Sequence, residues 1–175
     1  TDATACASSL KVMMDVQTLI RYYGFHRVCV LAVEDAVSNL TLEFFGEAKA
    51  SLQAKDDDAG ILPSAFDGKN GKFHIGQGAV FAVFERNPQV YHARLDGAYT
   101  SSEVCTNQLG QREDGQGFVT AMCGALDEAG FNPERVDIIK THGTGTESNN
   151  KAEKCAIEKI FKPNWFTATS FKPTI

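Results

Sequence analysis

The 175-residue chain is 43% hydrophobic and 22% charged, a composition that builds a packed globular core and excludes intrinsic disorder. Its formal net charge of −5 argues against a nucleic-acid or anionic-membrane surface, and no apolar run approaches the roughly 20 residues of a membrane span. The opening Thr1-Asp2-Ala3-Thr4 lacks the basic start of a signal peptide, so a cytoplasmic protein is expected. Five cysteines, none spaced Cys-x-x-Cys, read as free thiols rather than as a zinc or redox site.

From Ala7 to about Tyr23 the residues Leu10, Met13, Met14, Leu19, Ile20 and Tyr23 recur at helical spacing, and Gly24 suits the position just past a helix end. Arg27-Val28-Cys29-Val30-Leu31-Ala32-Val33 is short, continuous and β-branched, which predicts a strand covered on both faces. Residues 39–50 suit a second, shorter helix, and the Asp-, Gly- and Pro-rich stretch from Lys55 to Lys72 predicts a loop. Ala79–Glu85 and Val90–Leu95, joined by Arg86-Asn87-Pro88-Gln89, are spaced as an antiparallel hairpin. Gly117–Ala129 reads as a helix stopped by Gly130, and Val136–Lys140 as a strand leading into Thr141-His142-Gly143-Thr144-Gly145-Thr146. Asn150–Phe161 is helical, with Ala156, Ile157, Ile160 and Phe161 on its apolar face, and Phe166–Ser170 is a last strand. Helices alternating with strands predict an α/β fold with a mixed sheet.

Three places carry chemistry. Cys6 stands just before the first helix among the small residues Ala5, Ala7 and Ser8. A thiol there feels the positive end of the helix dipole, which favours the nucleophilic thiolate. A core cysteine that happens to open a helix would look the same. His142 to Thr146 follows a strand, where function in α/β folds concentrates, and its glycines let backbone approach a ligand. No Gly-Lys-Ser/Thr follows, so it is not a phosphate loop; a Gly-rich turn with one polar histidine is the plain alternative. Lys172, in Thr169-Ser170-Phe171-Lys172, ends the final strand and alone would be a solvated charge.

Together the three follow a recognisable order. Ala3-Thr4-Ala5-Cys6-Ala7-Ser8-Ser9-Leu10 resembles the active-site cysteine motif of β-ketoacyl synthases. His142 to Thr146 matches that family's His-Gly-Thr-Gly-Thr, and Thr169 to Ile175 resembles the segment bearing its lysine. Cys6 and His142 are 136 positions apart, and His142 and Lys172 are 30 apart, both close to the family pattern. Phe66-Asp67, Phe73–Glu85 and Lys151-Ala152-Glu153 align with intervening family blocks, so the resemblance spans nearly the whole chain.

The resemblance implies a thiolase-like αβαβα layered sandwich. Residues 1–175 would be its central portion, from the end of the N-terminal half to the start of the C-terminal half. The missing layers imply a longer native protein, or a completing chain, around otherwise exposed apolar faces. It also implies decarboxylative condensation, with Cys6 carrying an acyl group and His142 stabilising the enolate of a malonyl thioester. The Cys6 N–H would be one oxyanion donor, its usual partner falling beyond Ile175. Thr144 and Thr146 match positions that bind the pantetheine arm, and Lys172 with Glu153 would order the polar network around the histidines.

Substrates would ride on phosphopantetheine, with no metal or organic cofactor. The implied partners are acyl carrier protein or acyl-CoA and a second subunit in a homodimer or heterodimer. The chain departs from the family pattern at Glu34 and Asp35, at Gly71 and Lys72, at Gln77 and at Asn150. A catalytically silent partner subunit is therefore the rival reading, and an acyltransferase or decarboxylase that does not condense is a third.

Overall fold

The computed structural model describes residues 4–51, 66, 72–105 and 111–170. A 3-10 turn (Ala5–Ala7) leads into α1 (Ser8–Arg21), β1 (Arg27–Asp35), α2 (Asn39–Glu47), β2 (Gln77–Glu85) and α3 (Gln116–Ala129). A second 3-10 turn (Pro133–Arg135) precedes β3 (Ile138–Lys140), α4 (Glu147–Ile160) and β4 (Thr167–Thr169). Two compact units emerge: Thr1–Glu34 with Gly78–Ser101 and Thr120–Asn132, and Asp35–Gln77 with Ser102–Val119 and Pro133–Ile175.

In the first unit α1 stops where expected. Gly24 takes a φ of +76°, a left-handed conformation that a Cβ would oppose, and the Phe25 N–H donates back to the Leu19 carbonyl at 3.1 Å. Arg21, in the last turn, donates to Glu128 on α3 and to the Asp96 carbonyl, at 3.0 and 2.9 Å. Among the described residues of this unit, Val16 of α1 and Val30 of β1 are the buried apolar ones.

β1 pairs with β2. The Arg86 N–H donates to the His26 carbonyl and Arg27 pairs with Glu85, each at 2.9 Å, so the start of one strand lies beside the end of the other. They run antiparallel. The predicted hairpin is thereby corrected: Ala79–Glu85 is strand, but Val90–Leu95 is not. The chain leaves the sheet after β2 because Arg86 sends its guanidinium to the Ile20 carbonyl, Asn87 turns to φ +52° and Pro88 has no N–H to give a ladder. Its place beside β2 is taken by a strand 50 residues earlier.

The expectation that β1 is covered on both faces is also corrected. Leu31 and Val33 are 67% and 63% exposed, and Val80 and Phe81 on β2 are equally open. A continuous apolar run reports what a strand buries in a full sheet, and here, among the described residues, β2 alone flanks it. The predicted loop from Lys55 to Lys72 lies almost wholly outside the described residues.

The second unit is a β-α-β unit. β3 and β4 are parallel, with Ile138 opposite Thr167, Ile139 opposite Ala168 and Lys140 opposite Thr169, and α4 is the crossover between them. Ala152 and Ala156 of α4 are fully buried, with Ile157 and Phe161 close behind. Their small side chains let residues 112–115 lie along the helix. There Lys159 donates to the Asp114 carbonyl and Lys151 pairs with Glu113, both at 2.6 Å. α2 is capped by Ser38, whose hydroxyl accepts from the Thr41 N–H at 3.3 Å. Among the described residues no helix is long and apolar enough to cross a membrane.

Candidate active site

Cys6 lies in the 3-10 turn that feeds the 14-residue α1, and its side chain is exposed. Ala5, immediately before it, has a φ of +51°, a left-handed conformation that costs a non-glycine residue about 1–2 kcal/mol. Ser8 straps the turn. Its hydroxyl accepts from the Thr4 N–H at 2.7 Å and donates to the Ala5 carbonyl at 2.8 Å, offsetting part of the strain. The result is a thiol on a tight turn ahead of the positive end of a helix, flanked by residues too small to cover it.

The histidine turn, in the second unit, is built differently. Glu153, 5% exposed on α4, reaches back to the end of β3. Its Oε1 accepts from the His142 N–H at 2.6 Å and its Oε2 from the Gly143 N–H at 2.8 Å. Gly143 is held at φ +48°, where a Cβ would meet the Ser170 hydroxyl at 2.5 Å. That hydroxyl donates to the Gly143 carbonyl at 2.9 Å, and the Thr141 N–H donates to the Thr169 carbonyl at 2.9 Å. The backbone of the turn is therefore gripped by α4 on one side and by the end of β4 on the other, which fixes where the His142 ring can start.

Thr144 and Thr146 belong to the same cluster, their hydroxyls 3.0 Å apart. Between them and Glu153 stands Asn149, 3% exposed, which sequence reasoning passed over. Its Oδ1 accepts from the Thr144 N–H at 3.0 Å and hydroxyl at 3.2 Å; its Nδ2 donates to Glu153 Oε2 and to Gln111 Oε1, each at 3.4 Å. A signal for it was available. Asn149, Ala152, Glu153, Ala156 and Ile157, the buried residues of α4, fall at i, i+3, i+4, i+7 and i+8, one helical face. Both polar members of that stripe serve the turn.

The structure thus gathers His142, Thr144, Thr146 and Glu153, with Asn149 added, at one end of the β-α-β unit. Cys6 belongs to the other unit, and Lys172 lies outside the described residues.

Residues 92–175 match the family model for the C-terminal domain of β-ketoacyl synthases. Over 166 residues the chain is 30% identical to the ketoacyl synthase α subunit of the tetracenomycin polyketide synthase of Streptomyces glaucescens, covering 90% of this chain and 38% of that protein. The chain belongs to the β-ketoacyl synthase family. A second family member, the 3-oxoacyl-(acyl-carrier-protein) synthase 2 of Vibrio cholerae, is 28% identical over 165 residues, or 90% of this chain and 39% of its own length. Among solved structures, a ketosynthase in complex with its chain length factor from Xenorhabdus doucetiae superposes with a TM-score of 0.83 and 28% identity, over 99% of this chain and 40% of that one. The expected α/β, thiolase-like architecture is the one these ketosynthases share, and this chain spans about two fifths of the length of the relatives it matches.

Proposed function

We propose that the protein bearing this chain is an active β-ketoacyl synthase. The Cys6 thiolate attacks an acyl thioester, and the pantetheine thiol departs as the acyl group moves to sulfur. A malonyl thioester then loses CO₂, leaving an enolate whose oxygen is hydrogen-bonded by His142. The enolate carbon attacks the Cys6 thioester, the C–S bond breaks, and a β-ketoacyl thioester leaves while Cys6 regains its thiolate. Thr144 and Thr146 receive the pantetheine arm, and Glu153 holds the backbone that carries His142. Lys172 completes the polar network. So written, the reaction calls on no metal or organic cofactor.

One observation carries this reading: an exposed thiol on a strained turn at the head of α1. Cys29 on β1 is exposed as well, so it is the strained turn ahead of a helix that sets Cys6 apart. Relatives named for the acyl carrier protein and for polyketide synthesis support carrier-bound substrates. The chain length factor beside the Xenorhabdus ketosynthase supports assembly of this protein as a dimer. The acidic, free-thiol composition supports a cytoplasmic location. Intact mass after incubation with an acyl thioester is the test. An adduct on the native protein that disappears in Cys6→Ala is expected, followed by β-ketoacyl product when a malonyl thioester is added. No adduct on a folded protein would overturn the proposal in favour of a silent partner subunit.

A further inference from the structure

Residues 111–115 lie along α4, and their contacts with it fall on Ser148, Asn149, Lys151, Ala152, Cys155 and Lys159. Those positions, i, i+1, i+3, i+4, i+7 and i+11, line one side of a helix. At the far end Lys159 donates to the Asp114 carbonyl at 2.6 Å, and the Cys155 thiol donates to the same oxygen at 3.5 Å. Gly115 takes a φ of +62°, and a Cβ there would stand 2.2 Å from the Ala152 carbonyl oxygen, so a glycine is what lets the two backbones come this close. Midway, Lys151 pairs with Glu113 at 2.6 Å. At the near end the Gln111 N–H donates to Ser148 Oγ at 3.3 Å, and Gln111 Oε1 accepts from Asn149 Nδ2 at 3.4 Å.

The near end meets the side chains that carry the His142 backbone. Asn149 is 3% exposed, and its oxygen is the atom facing the Thr144 N–H, because a backbone N–H can only donate. Its two amide hydrogens are then divided between Glu153 Oε2 and Gln111 Oε1. Glu153 in turn accepts from the His142 and Gly143 N–H groups. Without the Gln111 oxygen, one Asn149 hydrogen is stranded in a covered place. Glu153 Oε2, the acceptor beside it, already receives the Gly143 N–H. Any shift of Asn149 toward that carboxylate pulls on the backbone of the turn at both Gly143 and Thr144.

We propose that residues 111–115 form a strap that positions the histidine turn, and that Gln111 is the positioning residue through which it acts. Seated along α4, the strap delivers the Gln111 oxygen to Asn149. Asn149 and Glu153 then fix the backbone from which the His142 ring starts. Cys6 belongs to the other unit and takes no part in this chain of contacts, so the strap governs the step that His142 serves and not the acylation of sulfur. The inference deepens the proposed synthase chemistry and rests on it for the identity of that step.

The test uses the full-length protein. Gln111→Met removes the acceptor and keeps the length of the side chain, whereas Gln111→Glu keeps an oxygen facing Asn149. Two half-reactions are timed on each folded preparation: acylation of Cys6 by an acyl-pantetheine thioester, and decarboxylation of a malonyl-pantetheine thioester. The His142 imidazole is followed by proton–nitrogen NMR, its signal assigned by its absence in His142→Ala. In Gln111→Met decarboxylation is expected to fall about five- to tenfold, the worth of one net hydrogen bond, with acylation unchanged. The His142 signal is expected to move, while those of His26 and His92, in the other unit, stay in place. Gln111→Glu is expected to restore both readouts. Lys159→Met, which releases the far end of the strap, is expected to act in the same direction, more weakly, and to add nothing in the Gln111→Met background. If Gln111→Met does not fold, the His142 signal in Lys159→Met decides the matter. Equal loss in both half-reactions, an unmoved His142 signal in the folded variants, or no rescue by Gln111→Glu would overturn the inference. A native protein that neither acylates nor decarboxylates defeats the synthase reading, and the His142 signal still decides this one.

Discussion

Two side-chain amides are buried in two helices of 14 residues each, and they stand at opposite ends of hydrogen bonding. Gln17 of α1 is 6% exposed, and among the described residues neither its Oε1 nor its Nε2 has a partner. Asn149 of α4 is 3% exposed and uses every donor and acceptor it has. Burial is nearly the same; the consequences are not. A buried polar group contributes little when paired and costs the full loss of its hydration when unpaired. Asn149 therefore belongs to the machinery of the turn, whereas Gln17, among the described residues, is an uncompensated cost to its helix.

The contrast is sharpest in substitutions that replace either amide by a hydrocarbon. Asn149→Leu strands the Thr144 N–H and removes a donor from Glu153, and each unsatisfied buried group costs about 1–3 kcal/mol. A loss of several kcal/mol is expected, read as a lowered urea midpoint. Gly143→Ala, in the same turn, forces a Cβ into left-handed backbone against Ser170, with an expected loss of about 2 kcal/mol and a fall in condensation rate as the His142 backbone shifts. Gln17→Leu should go the other way. Removing an unpaired amide is expected to leave stability unchanged or raise it by about 1 kcal/mol, and a clear loss would show that Gln17 has a partner.

The smallest effect lies in the segment that pins α4. Arg112 hydrogen-bonds Asp114 and holds its carboxyl well below the usual carboxylate range. A depressed value in the folded state means stability that is present above the unfolded carboxylate's titration, near about 3.9, and lost as pH falls below it. Asp114→Asn should therefore flatten the acid limb of a stability–pH curve slightly and leave neutral pH almost unchanged. The pair is exposed, so solvent screening keeps the effect small.

Local structure was legible where local chemistry decides it. Gly24 and Gly130 both take positive φ just past α1 and α3, as their positions after apolar periodic runs imply. β2 was legible as a strand but not in its partner, because pairing is settled by contacts far apart in sequence: the nearby Val90–Leu95 lost to β1 once Asn87 and Pro88 turned the chain away. The motif residues His142, Thr144, Thr146 and Glu153 could be read from spacing and resemblance. Asn149 could not, since Glu147-Ser148-Asn149-Asn150 looks like an ordinary polar helix start. Only the helical phase shared with Ala152, Glu153 and Ala156 marks it as inward-facing, and phase says nothing about which atoms it will bind.

The proposed division of labour between an acyl-carrying thiol and a rigid histidine turn is tested most directly by mapping the acyl group to a peptide after exposure to an acyl thioester. Native protein, Cys6→Ala and His142→Ala are compared. The expected result is label on Cys6 in the native protein and in His142→Ala, none in Cys6→Ala, and loss of malonyl decarboxylation in His142→Ala. Label on Cys29, Cys105, Cys123 or Cys155 in place of Cys6, or undiminished labelling of Cys6→Ala, would contradict it.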